Sequence, residues 1–130
     1  GERNSLRLIP AIELLPCPDK VKFVKFMSDE EKLNCKQHCR NTFDSCIVRV
    51  LRGNYDMVVF DEIFCAIENG MLSESELFDF LANLPKNIEV VLTGHNPSEK
   101  ILSFADYATE MKKIAHPFDK GITARKGIEY

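Results

Sequence analysis

Two carboxylates stand side by side after an apolar run: Met57-Val58-Val59-Phe60 is followed by Asp61 and Glu62. Acids at the tip of a buried strand are placed to hold a hard divalent cation beside a phosphate, because such an ion prefers carboxylate and phosphate oxygens. A plainer role is open to the same pair, since an acid after a strand also suits the positive end of a following helix. A second apolar run, Ile88-Glu89-Val90-Val91-Leu92, ends in Thr93-Gly94-His95. Glycine there permits a tight turn or a close backbone approach to a nucleotide. His95 is a candidate phosphate contact or a solvated loop residue. Cation and phosphate chemistry also needs a cradle of backbone N–H groups with a lysine, and no Gly-x-x-x-x-Gly-Lys-Ser/Thr pattern occurs in residues 1–130.

The cysteines form a second cluster. Cys35, Cys39 and Cys46 recur at i, i+4 and i+11, which at about 100° per residue puts them on one helix face. His38 lies between the first two, so metal ligation is one reading. Structural zinc sites rarely draw their ligands from a single helical stripe, whereas Phe43 and Val50 continue this stripe and reduced cysteine packs as a small hydrophobe. Core packing is the expected role. Five cysteines are also an odd number, which argues against a closed disulfide framework.

Residues with such roles must sit on rigid elements. Asp56–Phe60 and Ile88–Leu92 are short apolar runs that fit strands buried on both faces of a parallel sheet. Ser28 followed by Glu31 is a capping-box pattern and predicts a helix over Asp29–Leu51, with Gly53 just past its end. Glu62–Asn69 reads as a short helix closed by Gly70. Ser73 and Glu76 repeat the capping pattern and open a helix to Ala82, which Pro85 keeps from continuing. Ser98–Phe104 is a further short helix. Two more strands are expected, at Ile12–Leu15 and Tyr107–Met111. Pro16 and Pro18 mark a turn, Phe23 and Phe26 fall in the loop before the long helix, and the tail is polar and punctuated by glycine. Strands alternating with helices predict an α/β fold with a mainly parallel sheet flanked by helices, as one domain over residues 1–130. In such sheets ligands gather at the carboxyl ends of the strands, where Asp61-Glu62 and Thr93-Gly94-His95 both fall.

Charge and size narrow the choice of partner. The 130 residues are 28% charged and 45% apolar, with a net charge of −3. That is an ordinary globular composition without the basic footprint of a nucleic-acid binder. No apolar run reaches the roughly 20 residues of a membrane span and no signal peptide is evident, so no membrane partner and a cytoplasmic location are expected. The chain opens GERNSL without a methionine, as expected of a processed or trimmed polypeptide.

The order of motifs MVVFDE, ENG, VVLTG and ADYATEMKKIAHPFDKGITARKGIEY closely resembles the P-loop type of corrinoid adenosyltransferase, the ATP:cob(I)alamin or cob(I)yrinic acid a,c-diamide adenosyltransferases. The resemblance covers nearly the whole chain: GERNSLRLIP resembles the stretch after the family's second strand, and GIEY its C-terminus. It implies a P-loop NTPase-like fold whose first strand, Walker-A loop and first helix are not within residues 1–130, so that the chain is the C-terminal portion of the family domain. It further implies a reaction in which a cob(I) corrinoid attacks the 5′ carbon of ATP, forming a cobalt–carbon bond and releasing triphosphate, in cobalamin biosynthesis or salvage. The implied ligands are ATP, Mg2+ and cob(I)alamin or a related corrinoid. The implied partners are a reductase as electron donor and a second copy in a homodimer.

By the same resemblance Glu62 carries the Mg2+, directly or through water, with Asp61 in support. Thr93, Gly94 and His95 face the ATP phosphates, while Phe23 and Phe26 face the lower side of the corrinoid, with ordinary packing as the plain alternative. Phe118, Asp119 and Arg125 match family positions without a derivable role. The chain departs from the family at His95, where arginine is usual, and at Ala115, where lysine is common. Histidine, with an ordinary pKa of about 6.5, offers weaker and pH-dependent charge. Without a cradle the chain alone is expected to be inactive. A non-catalytic corrinoid-binding or subunit-pairing remnant is the alternative, and the tail motif disfavours any other P-loop phosphotransferase. The family's cradle strand is expected between the DE and LTG strands, which predicts a slot between Met57–Phe60 and Val90–Leu92 filled by another polypeptide or a second copy.

Overall fold

The computed structural model describes residues 2–18, 22–125 and 127–128. Gly1 of the opening motif and Lys126, Glu129 and Tyr130 of the closing one lie outside the described residues. The chain divides into two compact units, Cys17–Ala105 and a second made of Gly1–Pro16 with Asp106–Tyr130.

The larger unit begins with a single 3-10 turn at Val24–Phe26 and then the long helix α2, Asp29–Arg52, numbered after a short α1 (Glu2–Leu6) in the other unit. The expected capping box is formed: the Glu31 N–H donates to Ser28 Oγ at 3.2 Å, and the Ser28 N–H donates to the Glu31 carboxylate at 2.8 Å. Acids fill the first turn and Arg49 and Arg52 the last, as the helix dipole favours. Strand β1 (Met57–Phe60) leads through α3 (Ile63–Glu68) and α4 (Glu74–Ala82) to strand β2 (Glu89–Leu92), and α5 (Glu99–Phe104) follows. Helix α4 carries the second capping box, with Ser73 and Glu76 exchanging bonds of 3.2 Å each.

Strands β1 and β2 pair in parallel, with Met57 opposite Glu89 and Phe60 opposite Leu92. The ladder continues one residue at each end, where the Glu89 N–H donates to the Asp56 carbonyl (2.9 Å) and the Thr93 N–H to that of Phe60 (3.1 Å). Period-2 alternation sends Val58, Phe60, Val90 and Leu92 to the helix-covered face. There Phe60 meets Phe43 of α2 and Phe80 of α4 in a triangle of ring centroids 5.7–6.0 Å apart. Such aromatic pairs contribute about 0.5–1.5 kcal/mol each beyond their buried area. Leu77, at 1% exposure, completes this core with Val50, Val58, Ile63 and Met71. The opposite face bears Met57, Val59 and Val91, of which Val59 is 57% exposed.

Three expectations are corrected. The strands are direct neighbours, so no slot lies between them. Direct pairing satisfies the backbone groups that face each other across β1 and β2, whose orphaning would cost about 1–3 kcal/mol apiece. Ile12–Leu15 is irregular rather than a strand, flanked by Pro10 and Pro16, neither of which can donate to a ladder. Tyr107–Met111 likewise forms no strand, with Tyr107 and Met111 almost fully exposed. An apolar run without a neighbouring edge gains nothing from strand geometry.

The cysteine stripe follows the packing reading at Cys46, which is buried, while Cys35 and Cys39 are half-buried. Burial pushes the thiols of Cys46 and Cys39 up, the latter to about 11 with Cys35 beside it. His38 instead lies 3.4 Å from the Thr42 hydroxyl.

In the smaller unit the Arg3 guanidinium donates to the Leu15 carbonyl at 2.8 Å. Lys113 Nζ donates to both oxygens of Asp119 at 2.9 Å, and His116 Nδ1 accepts the Phe118 N–H at the start of a 3-10 turn, Pro117–Lys120. These contacts give Asp119 a local structural partner. Phe118 is 71% exposed, and Arg125 accepts through its carbonyl from the Ile128 N–H.

Candidate functional site

At the carboxyl end of β1 the chain passes through Asp61 and then Glu62, which takes the left-handed conformation (φ 55°, ψ 29°) before α3 begins. That conformation costs a non-glycine residue about 1–3 kcal/mol and persists where surrounding bonds over-determine it. Those bonds come from Thr93. Its hydroxyl donates to Asp61 Oδ1 at 2.8 Å and accepts the Glu62 N–H at 2.9 Å. Glu62 occupies the N-cap position of α3, yet its side chain makes no capping hydrogen bond. The helix-capping explanation for this acid is therefore not realised. Both carboxylates are solvent-exposed at the strand ends.

Gly94 follows at φ 136°, a conformation that L side chains rarely adopt. A Cβ there would meet Phe64 Cβ at 3.0 Å and the Phe64 N at 3.2 Å, so the loop presses against the first turn of α3. Gly94→Ala is expected to destabilise the fold by about 2 kcal/mol or more, as backbone strain and overpacking add. Urea unfolding checks this, and an unchanged midpoint would mean the loop yields. His95 and Asn96 continue the loop in exposed positions, Asn96 again with positive φ (53°).

The structure thus joins Asp61, Glu62 and Thr93 in one hydrogen-bonded cluster and sets Gly94 beside it. Phe23 precedes and Phe26 ends the 3-10 turn before α2, 75% and 67% exposed, with Lys25 Nζ 4.9 Å from the Phe26 ring centre. They belong to a separate stretch from the acid cluster. Near them the Glu31 carboxyl lies below its ordinary range, chiefly because Lys22 hydrogen-bonds to it, with the Ser28 backbone in support.

Sequence reasoning missed Phe64, whose place under the loop has no motif signal. It also missed a cavity of about 420 Å3 between α2 and the α3–α4 turn, lined by Leu33, Lys36, Arg40, Met71 and Glu76 among others. Glu76 there pairs with Arg40 while capping α4, and the capping-box pattern was its only trace in the sequence. Chemically, the cluster supplies two adjacent hard oxygen donors, with the Asp61 carboxylate and the Glu62 backbone tied to Thr93. No group of three His, Cys, Asp or Glu suited to hold a metal occurs among the described residues. No helix among them is long and apolar enough to cross a membrane.

The family described as ATP:corrinoid adenosyltransferase BtuR/CobO/CobP matches residues 1–130. A corrinoid adenosyltransferase of a Sinorhizobium species is 41% identical over 75 residues, which are 57% of this chain and 35% of that protein. The corrinoid adenosyltransferase of Escherichia coli K12 is 29% identical over 92 residues, 71% of this chain and 47% of that protein. The corrinoid adenosyltransferase CobA of Salmonella typhimurium is 35% identical over 75 residues, 58% of this chain and 38% of that protein. The matched stretches span about a third to a half of these relatives. With the family matched from first residue to last, this chain belongs to the ATP:corrinoid adenosyltransferase family BtuR/CobO/CobP.

Proposed function

We propose that this chain is the C-terminal portion of one adenosyltransferase domain, which transfers the 5′-deoxyadenosyl group of ATP to the cobalt of a reduced corrinoid in cobalamin biosynthesis or salvage. The cobalt nucleophile takes the 5′ carbon, and triphosphate leaves with the bonding electron pair. The observation that carries this reading is the Asp61–Glu62–Thr93 cluster at the ends of two parallel strands, in a chain of that family.

Asp61 and Glu62 fit Mg2+ by their donor chemistry. Two adjacent exposed carboxylates suit an ion that completes its shell with water and substrate phosphates. When bound there, Mg2+ supplies charge neutralisation at the phosphates. The Gly94–His95 loop lies beside this pair and is the phosphate-facing element. Phe23 and Phe26 offer exposed ring faces suited to the apolar lower side of a corrinoid.

The phosphate cradle comes from outside residues 1–130, so the chain is inactive by itself. A reductase supplies the electron, and the setting is cytoplasmic. One observation favours a subunit-pairing role as well: the Met57, Val59 and Val91 face is uncovered, whereas parallel sheets are buried on both faces. A homodimer would cover it. The test is anaerobic turnover of reduced corrinoid and MgATP by residues 1–130 joined to a Walker-A unit of the family. No ATP-dependent adenosylcorrinoid from that protein would overturn the reading.

In the same joined protein His95→Arg is expected to hold activity or raise it by up to about tenfold, because arginine keeps its charge at all working pH values. Rate measurements check it, and a large loss would give the histidine a role of its own.

A further inference from the structure

A threonine hydroxyl has one proton to give and lone pairs to receive. At Thr93 the proton goes to Asp61 Oδ1 and a lone pair takes the Glu62 N–H, while the residue's own N–H reaches the Phe60 carbonyl. Three consecutive residues at the end of β1 are therefore held by one residue at the end of β2. Gly94 then turns the chain past Phe64 so closely that an added Cβ would lie 3.0 Å from Phe64 Cβ.

We propose that Thr93 is a positioning residue, whose hydroxyl sets the geometry of the Asp61–Glu62 pair instead of contacting the ATP phosphates. The proposal rests on the reading of that pair as the Mg2+ carboxylates. A proton committed to Asp61 is not available to a phosphate oxygen. The bond to Asp61 fixes which carboxylate oxygen faces inward, leaving the other directed to ligand. The bond from the Glu62 N–H holds a left-handed residue that would otherwise relax, and relaxation would swing its carboxylate away from its neighbour. It also satisfies a donor at the start of α3 that has no partner within the helix.

Thr93→Val removes the hydroxyl and keeps the shape, whereas Thr93→Ser keeps the hydroxyl. Two measurements on the 130-residue chain separate the roles: Mn2+ titration followed by electron paramagnetic resonance, and hydrogen exchange at the Glu62 amide, which needs neither metal nor turnover. The valine variant is expected to weaken Mn2+ binding and speed Glu62 exchange, each by about tenfold or more, as loss of a bond to a charged group implies. The serine variant should stay within about threefold of the parent on both counts, since it keeps the donor and acceptor. Unchanged Glu62 exchange in the valine variant overturns the proposal. So does faster exchange with unaltered Mn2+ binding, provided Asp61→Asn and Glu62→Gln each weaken that binding. If those two substitutions leave Mn2+ binding untouched, the metal reading fails, and Glu62 exchange alone decides whether Thr93 is a latch. Should the valine variant not fold, Thr93→Ala against Thr93→Ser gives the same comparison.

Discussion

Reduced corrinoid and MgATP incubated anaerobically with residues 1–130 alone are expected to yield no adenosylcorrinoid. Displacement at the 5′ carbon builds negative charge on the departing triphosphate, and preorganised donors must already surround that charge when it forms. Loss of a single such donor typically costs about 10²–10³ in rate. A cradle provides several backbone N–H groups and a lysine together, and no sequence of that kind lies within residues 1–130. The losses compound, which puts the expected rate below detection. The Asp61–Glu62 pair cannot compensate, because a single Mg2+ held there neutralises only part of the triphosphate charge and supplies no backbone donors. The measurement is the ATP-dependent appearance of the cobalt–carbon bond by absorbance, with its loss under light as the control. Product formed by this chain alone would mean that phosphate charge is met by groups outside any Walker-A pattern, with His95 the first to test.

Glu62→Ala, made in the form joined to a Walker-A unit, is expected to lower turnover by about 10² or more, the scale of losing charge stabilisation at a leaving phosphate. A residue that only capped α3 would affect stability more than rate. The geometry predicts the reverse. Glu62 makes no side-chain cap bond, and its φ of 55° is strained for any residue with a Cβ. Glu62→Gly should therefore keep or raise the unfolding free energy, by up to about 1 kcal/mol from relief of the left-handed backbone. It should still lose turnover to the extent the alanine variant does. This opposite movement of stability and rate is the distinguishing result. If activity and stability instead fall in parallel, Glu62 serves the fold, and the cation is held elsewhere.

The contacts that the sequence made legible are the short-range ones. Ser28 with Glu31 and Ser73 with Glu76 lie one turn apart, so each capping box is closed by residues already adjacent along the chain, and both form. The apolar runs at Met57–Phe60 and Glu89–Leu92 become strands as expected, but not buried on both faces: Val58, Phe60, Val90 and Leu92 meet the helices while Met57, Val59 and Val91 stay exposed. The place of Asp61 and Glu62 at a strand end follows directly from the first of these runs.

Tertiary structure decided which neighbour each run received. Ile12–Leu15 and Tyr107–Met111 have strand-like composition but pair with nothing among the described residues, because a ladder depends on an edge that local sequence does not specify. The order of β1 beside β2 was likewise a property of the assembled sheet. The link that gives the candidate site its shape, Thr93 to Asp61, spans 32 residues. Sequence placed an acid pair and a Thr-Gly turn at two strand ends. Only the parallel register that sets Phe60 opposite Leu92 brings the next residues of each strand within one hydrogen bond, where a hydroxyl can hold a carboxylate and a left-handed backbone at once.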